Sequence, residues 1–279
     1  MTIEREKDNI ERILVALDGS PLSMAALRAA SELAAAMQAE LCGLYVEDVN
    51  LLRIAELPCA TVVEVPTARI RGLTPQGIRR QMRLQAERAE RAIENAARLT
   101  QVHWSFRVLQ GEINDQLMRA CKQSDMVILG RTGWSGSRKL GSTARSMLER
   151  PLHRTMVMDA GVLQQPSVLA AYDGSSAGRR ALDMAVQMVQ EKEGYLRVGI
   201  VARDAAHARG LQQKVLSTLR DLGQEARLHW LLGGDAHELA QLVADEPCFL
   251  VLPAELSLLR MKAVPDLMDE MECPLLLVR

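Results

Sequence analysis

Ile13–Leu27 reads ILVALDGSPLSMAAL, and Val168–Leu182 reads VLAAYDGSSAGRRAL. In both, a short apolar run ends in a carboxylate, passes through Gly-Ser and enters an Ala-rich amphipathic stretch. That is the pattern of a buried strand, a tight turn and a capped helix. Pro21 suits the first helical position of the first copy. The two stretches stand 155 residues apart. A second pair repeats further on: Gln110–Gly130, QGEINDQLMRACKQSDMVILG, against Gly233–Pro253, GGDAHELAQLVADEPCFLVLP. The half-ends repeat as well, RTMVM at 154–158 and CPLLLV at 273–278. The period is too long for a solenoid, so the chain reads as two copies of one α/β domain. The expected domains are 1–160 and 161–279, joined near the polar stretch GVLQQPS.

Between these landmarks the first half reads as strand, helix, strand. Residues 12–18 and 40–46 form the strands and 21–39 the helix, which argues a parallel sheet. Residues 47–75 hold three prolines and are long for a bare connection, so a short helix near 50–56 and a partner surface are expected there. Residues 76–100 carry Ile78, Met82, Ala86, Ala89, Ile93 and Ala97 on one helical face. Six arginines from Arg79 to Arg98 alternate with Glu87, Glu90 and Glu94, which reads as an ion-paired solvent face. Strands follow at 103–109, 126–129 and 155–158, with helices near 113–123 and 142–150.

The chemistry concentrates in Met126–Thr143, MVILGRTGWSGSRKLGST. A buried strand empties into Gly130, Gly133, Gly136 and Gly141, then Ser142 and Thr143 open a helix. Glycines let backbone N–H groups approach phosphate oxygens, and a helix N-terminus favours negative charge. In an open parallel sheet ligands sit beyond the carboxyl ends of strands. Asp18 ends the first strand and offers an acceptor to a base or ribose. Val46 ends the second and offers a backbone edge to a base. Arg131, Arg138 and Lys139 are the loop's cations. The fragment GSRKLGST lacks the lysine of a Walker A loop before its serine, which excludes a P-loop NTPase. No G-x-G-x-x-G follows the first strand, which counts against NAD.

Composition excludes other classes. The net charge of −1 gives no bulk drive toward nucleic acid or an anionic membrane. No apolar run approaches the roughly 20 residues of a membrane span. The charged start MTIEREKDNIER has no signal-peptide core, so the expected compartment is the cytoplasm. Five scattered cysteines, Cys42, Cys59, Cys121, Cys248 and Cys273, read as reduced thiols. The histidines show no metal-ligand spacing, and His153 reads as a capping or surface residue. No His or carboxylate neighbours Ser135, Ser137, Ser142 or Thr143 in sequence, so no catalytic residue is assigned; Glu47 and Asp48 are the nearest acids.

ILVALDGSPLSMAAL, YVED and VILGRTGWSGSRKLGST together resemble the universal stress protein family, in a tandem arrangement covering nearly the whole chain. The resemblance implies a five-stranded parallel sheet per domain, order 3-2-1-4-5, with helices on its faces. It implies ATP held at Asp18, Val46, Gly130, Gly133, Gly141, Ser142 and Thr143, with Ala16, Leu129 and Arg131 in second rank, and Mg²⁺ reached through the phosphates. The family loop is G-x2-G-x9-G-[ST]; here seven residues separate Gly133 from Gly141, two fewer. At the matching place the second half has Leu252-Pro253-Ala254-Glu255-Leu256-Ser257-Leu258-Leu259-Arg260 and no glycine. It is read as a scaffold copy without nucleotide. The implied role is a cytoplasmic ATP-binding stress-response regulator with at most slow ATP hydrolysis. The alternative is an interaction module without nucleotide, acting on a partner such as a transporter. Pairing of the two halves as an internal pseudo-dimer, through Thr155–Met158 and Leu275–Val278, and a further homodimer are also implied.

Overall fold

The structure is a computed structural model, and it describes residues 10–64, 69–134, 139–151, 154–159, 167–192, 194–233, 236–256 and 264–279. The chain separates into two compact units, residues 1–125 and 126–279.

The first unit is built on three parallel strands in the order β5-β2-β1: β1 Arg12–Ala16, β2 Glu40–Asp48 and β5 Trp104–Gly111. Ile13, Val15, Leu41 and Leu44 are fully buried, as parallel strands covered on both faces require. Helix α1 (Pro21–Met37) starts as its sequence predicts: Ser20 Oγ accepts the Ser23 N–H at 3.2 Å and Pro21 opens the first turn. Helix α3 (Pro75–Thr100) is capped by Thr74 and buries Met82, Ala86, Ala89, Ile93 and Ala97, the predicted stripe. Its Ile93 lies over Gly43 of β2, where an added Cβ would sit 2.7 Å from Ile93 Cδ1 and 2.9 Å from Phe106 Cδ2. Helix α4 (Ile113–Cys121) completes the unit.

The 47–75 segment holds the expected helix, α2 (Val49–Ala55), capped by Asp48. It also holds a hairpin that the sequence reading passed over, β3 (Thr61–Glu64) antiparallel to β4 (Arg69–Gly72). The proline count drew attention from its short β-branched runs; the intervening 65–68 lie outside the described residues.

At the start of β1 and β2 a polar cluster fixes the register. Arg12 Nε donates to Glu40 at 3.0 Å, and Ser105 Oγ donates to the other Glu40 oxygen at 2.7 Å. The Ser105 hydroxyl, aided by Arg12 and opposed by partial burial, holds the Glu40 carboxyl below its ordinary value. A depressed folded-state value means stability present above the unfolded pKa and lost as pH falls through the folded one. Ser105→Ala is therefore expected to cost about 1 kcal/mol at pH 7. That cost should be smaller at about pH 3, below the ordinary carboxylate value, and be lost only as pH falls through the depressed folded-state value of Glu40. Urea titrations at the two pH values check it.

The second unit begins with β6 (Met126–Gly130) parallel to β7 (Arg154–Met158). The remaining strands are β8 Ser167–Tyr172, β9 Tyr195–Ala202, β10 Ala226–Leu232, β11 Phe249–Pro253 and β12 Leu275–Val278. They run β10-β9-β8-β11-β12, which is the order 3-2-1-4-5 in full. The first half follows the same order, 3-2-1 in β5-β2-β1 and 4-5 in β6-β7. The fold class is thus the expected mostly parallel α/β. In this unit β7 pairs with β12 in antiparallel fashion, with Leu275 opposite Val157 and Leu277 opposite Thr155. Strands β8, β11 and β12 are buried along their whole length. Helices α5 (Ser142–Glu149), α6 (Ser176–Lys192), α7 (Ala205–Asp221), α8 (Ala236–Asp245) and α9 (Val264–Glu270) belong to this unit. No described helix is long and apolar enough to cross a membrane.

Candidate functional site

In the first unit the candidates sit where β1 gives way to α1. Ala16 ends β1, and the Leu17 N–H donates to Leu44 O at 2.9 Å. Gly19 takes φ 76°, the left-handed region that a side chain resists, so the chain turns sharply there. Asp18 Oδ1 accepts the Ser20 N–H at 2.9 Å. The repeat reproduces this turn: Gly174 has φ 84°, and Asp173 Oδ1 accepts both the Ser175 N–H at 3.0 Å and its hydroxyl at 2.6 Å. Asp-Gly-Ser is therefore a turn-closing device in both copies, and Asp18 adds a half-buried carboxylate to that duty. The Tyr45 phenol donates to Gln85 Oε1 at 2.9 Å. Its pKa is pushed up to about 12 by burial and then by the negative charges of Glu47 and Asp18.

Val46 lies beyond the last β1–β2 pair, Ala16 with Leu44, yet still pairs with Leu109 of β5. In a parallel ladder, alternate residues turn their N–H and C=O to the same neighbour. Leu44 serves the β1 side through the Leu17 bond, so Val46 turns its backbone groups to that side too, past the end of β1.

In the second unit the glycine loop has a defined neck. Leu129 is buried, and Gly130 closes β6 opposite Met158. The Arg131 N–H donates to Met158 O at 2.8 Å, and Arg131 O accepts the Gly141 N–H at 2.9 Å. Gly133 is half-buried, Trp134 and Lys139 are exposed, and the expected contributors Ser135, Gly136, Ser137 and Arg138 lie outside the described residues.

Helix α5, like α4 with Glu112 at its cap position, receives no hydrogen bond from its cap residue's side chain. Ser20, Thr74 and Asp204 cap α1, α3 and α7 with side-chain oxygens. At α5 the cap position is Gly141, which has no side chain to offer the first turn that Ser142 and Thr143 open. The first N–H groups of a helix need an acceptor and carry its positive end. Nor does the fold require glycine at 141. Its φ is an ordinary −64°. An added Cβ would meet Arg131 O and Thr132 Cα at 3.5 Å, normal contact.

Arg131 departs from expectation. Read as a loop cation, its side chain is instead 3% exposed. Its Nη1 donates to Asp159 at 3.3 Å and to Met271 O, and its Nη2 to Met268 O, both carbonyls at 2.5 Å. The guanidinium thus caps the C-terminal end of α9, whose last carbonyls have no partners within the helix. Its backbone still shapes the loop neck; its charge is committed inside the protein.

The neck has a second attachment that nothing local in the sequence signals. Asp269 of α9 accepts the Leu140 N–H at 2.7 Å across 129 residues of chain, and its other oxygen takes Arg145 of α5. Arg145 also bonds Asp266 at 3.0 Å.

The second half's counterpart loop keeps the backbone frame and loses the rest. The Ala254 N–H donates to Val278 O at 2.7 Å, as Arg131 does to Met158. But Pro253 stands at the place of Gly130 and has no N–H to give. Residues 257–263, which include Ser257–Arg260, lie outside the described residues, as does His153.

All five cysteines are free thiols. Cys121, Cys248 and Cys273 are buried, and burial pushes each thiol above its ordinary value, Cys121 to about 12 and Cys248 to about 11. Among the described residues no cluster of three or more His, Cys, Asp and Glu side chains is placed to hold a metal.

Comparisons with known proteins bear on the fold and the family. The chain is similar to a universal stress protein from Archaeoglobus fulgidus, at 17% identity and a TM-score of 0.71, with 96% of each chain covered. A functionally unknown protein from Pseudomonas aeruginosa aligns over 96% of this chain and 92% of its own, at 15% identity and a TM-score of 0.66. A universal stress protein solved in complex with cAMP aligns with 54% of this chain and 97% of its own, at 19% identity and a TM-score of 0.36. No curated protein sequence matches closely enough to be called a relative. The sequence pattern of the universal stress protein family matches residues 9–151, from the approach to β1 to the end of α5. That span holds the Asp-Gly-Ser turn, the β2 edge and the whole glycine loop, and by it the chain belongs to the universal stress protein family.

Proposed function

We propose that this family member binds ATP through its first half and acts as a cytoplasmic stress-response regulator. The observation that carries the reading is the start of α5. A helix N-terminus that takes no cap bond from its own cap residue follows a glycine that neither backbone angle nor packing demands, at the neck of a loop closed by the Arg131–Gly141 bond. Such a place favours a phosphate group. Gly130, Gly133, Gly141, Ser142 and Thr143 would hold the phosphates, with Leu129 and Arg131 shaping the neck. Ala16, Asp18 and Val46 would serve the base and ribose. Mg²⁺ would be held by the phosphates.

No carboxylate or His is hydrogen-bonded to Ser142 or Thr143 among the described residues, so hydrolysis is expected to stay below about 1 s⁻¹. The domains are taken as 1–160 and 161–279, the second without nucleotide, with the β7–β12 pairing supporting an internal pseudo-dimer. Nucleotide carried through native purification should be found by mass spectrometry as adenine nucleotide. It should be lost in Gly133→Val and reduced in Ser142→Ala. Recovery of none from the wild type, with no saturable ATP binding afterwards, would leave the loop a remnant.

A second reading, a protein partner, is favoured by one surface. Leu51 and Ile54 of α2 and Leu57 beyond it are 45%, 48% and 55% exposed at three-residue steps. Such a contiguous apolar patch suits a protein contact.

A further inference from the structure

Helix α9 belongs to the second half of the sequence, yet its polar groups are spent on the first half's glycine loop. Three attachments converge there. Arg131, at the loop entry, places its guanidinium on Met268 O, Met271 O and Asp159. Leu140, at the loop exit, gives its N–H to Asp269 Oδ1 at 2.7 Å. Arg145, on the first turn beyond the exit, is gripped by Asp266 and Asp269. The Asp269 side chain is 19% exposed and uses both oxygens in this way. The arrangement is one-sided: the residue matching Arg131 in the second half is Ala254, whose side chain cannot make the reciprocal contact.

We infer that α9 is a brace for the glycine loop and that Asp269 is its positioning residue, setting the loop's affinity for the phosphates of a nucleotide. This rests on the reading of the loop as a phosphate holder. The physical argument is preorganisation. Its entry at Arg131 and its exit at Leu140 are both fixed from outside the loop, by α9. Asp269 does this from both oxygens, fixing the peptide at Leu140 and the side chain of Arg145, so the α5 N–H groups are already aimed when the anion arrives. Ordering done in advance is not charged against binding. The second half thereby has a use that needs no nucleotide of its own.

The inference also fixes a sign. A carboxylate close to a phosphate site repels the ligand by simple Coulomb action, so removing it should strengthen binding. If Asp269 is a brace, removing it should weaken binding instead. Three variants separate the contributions: Asp269→Ala removes both attachments, Asp269→Asn keeps an acceptor for Leu140, and Asp266→Ala removes only the 56%-exposed partner of Arg145. Amide hydrogen exchange on ligand-free protein should show Leu140 exchanging about tenfold faster in Asp269→Ala, and little changed in Asp266→Ala. Asp269→Asn should fall between. Calorimetric titration with ATP and with adenosine should show ATP weakened about tenfold in Asp269→Ala and adenosine unchanged, since only the phosphate end is braced.

Unchanged exchange at Leu140, unchanged or tighter ATP binding, or equal losses for ATP and adenosine would each overturn the brace. Should the wild type bind neither ligand, the nucleotide reading fails and the phosphate role fails with it. The exchange data then still decide whether α9 orders the loop. If Asp269→Ala does not fold, the same comparisons are made on Asp269→Asn and Arg145→Ala.

Discussion

Arg131→Ala is expected to lower the unfolding free energy by about 3 kcal/mol, near the lower end of what is found when one partner of a buried ion pair is removed. The side chain is 3% exposed and its carboxylate partner Asp159 19%, so part of the penalty is screened at the Asp159 end. The larger share comes from Met268 O and Met271 O, buried acceptors that lose a charged donor. Arg131→Lys should recover less than half. An ammonium keeps the charge but cannot present two nitrogens to two carbonyls and a carboxylate at once. Chemical denaturation of the three proteins measures this, and amide exchange over α9 locates it: α9 should lose protection first in the alanine variant. A loss below about 0.5 kcal/mol, the ordinary range for a surface substitution, would mean the guanidinium is a solvated loop cation after all.

The second large effect is expected at Gly141, and there stability and binding should part. Serine at a helix cap supplies an acceptor that glycine lacks, and the gain over glycine is a few tenths of a kcal/mol. Its Cβ meets nothing closer than 3.5 Å, so the fold accepts it. Yet its hydroxyl would sit where a phosphate oxygen is proposed and satisfy the same N–H groups. Gly141→Ser should therefore be as stable as the wild type or slightly more so, while its ATP affinity falls by about a hundredfold or beyond, the equivalent of two lost charge-assisted hydrogen bonds. Thermal denaturation and calorimetric titration on the same preparation give both numbers. A variant that binds ATP as well as the wild type would remove α5 from the proposed site.

How far the sequence disclosed this molecule depends on which forces act locally. The Asp18-Gly19-Ser20 turn, the Ser20 cap and the α3 stripe from Met82 to Ala97 are set by neighbours within a few residues, and each is present as read. The strand order was what the family resemblance implied, and it is present in full in β10-β9-β8-β11-β12. The β3–β4 hairpin was passed over because Pro66 masks two short runs whose pairing is the only thing that makes them strands. The role of Arg131 was misjudged for a different reason. An arginine beside glycines and ahead of a helix has the sequence signature of a phosphate ligand. Its actual partners, Met268 O and Met271 O, are backbone atoms 137 and 140 residues away. No side-chain pattern announces a carbonyl. Asp269 was invisible for the same reason, an acid among other acids on a short helix until the chain brings Leu140 to it.

The central claim is one nucleotide site per chain, in the first half, with none in the second. It is tested most directly by the stoichiometry of ATP binding, measured by isothermal titration on protein stripped of carried nucleotide. The account predicts one ATP per chain, abolished by Gly133→Val and untouched by Asp173→Ala. Two ATP per chain, or one that survives Gly133→Val and vanishes with Asp173→Ala, would contradict it.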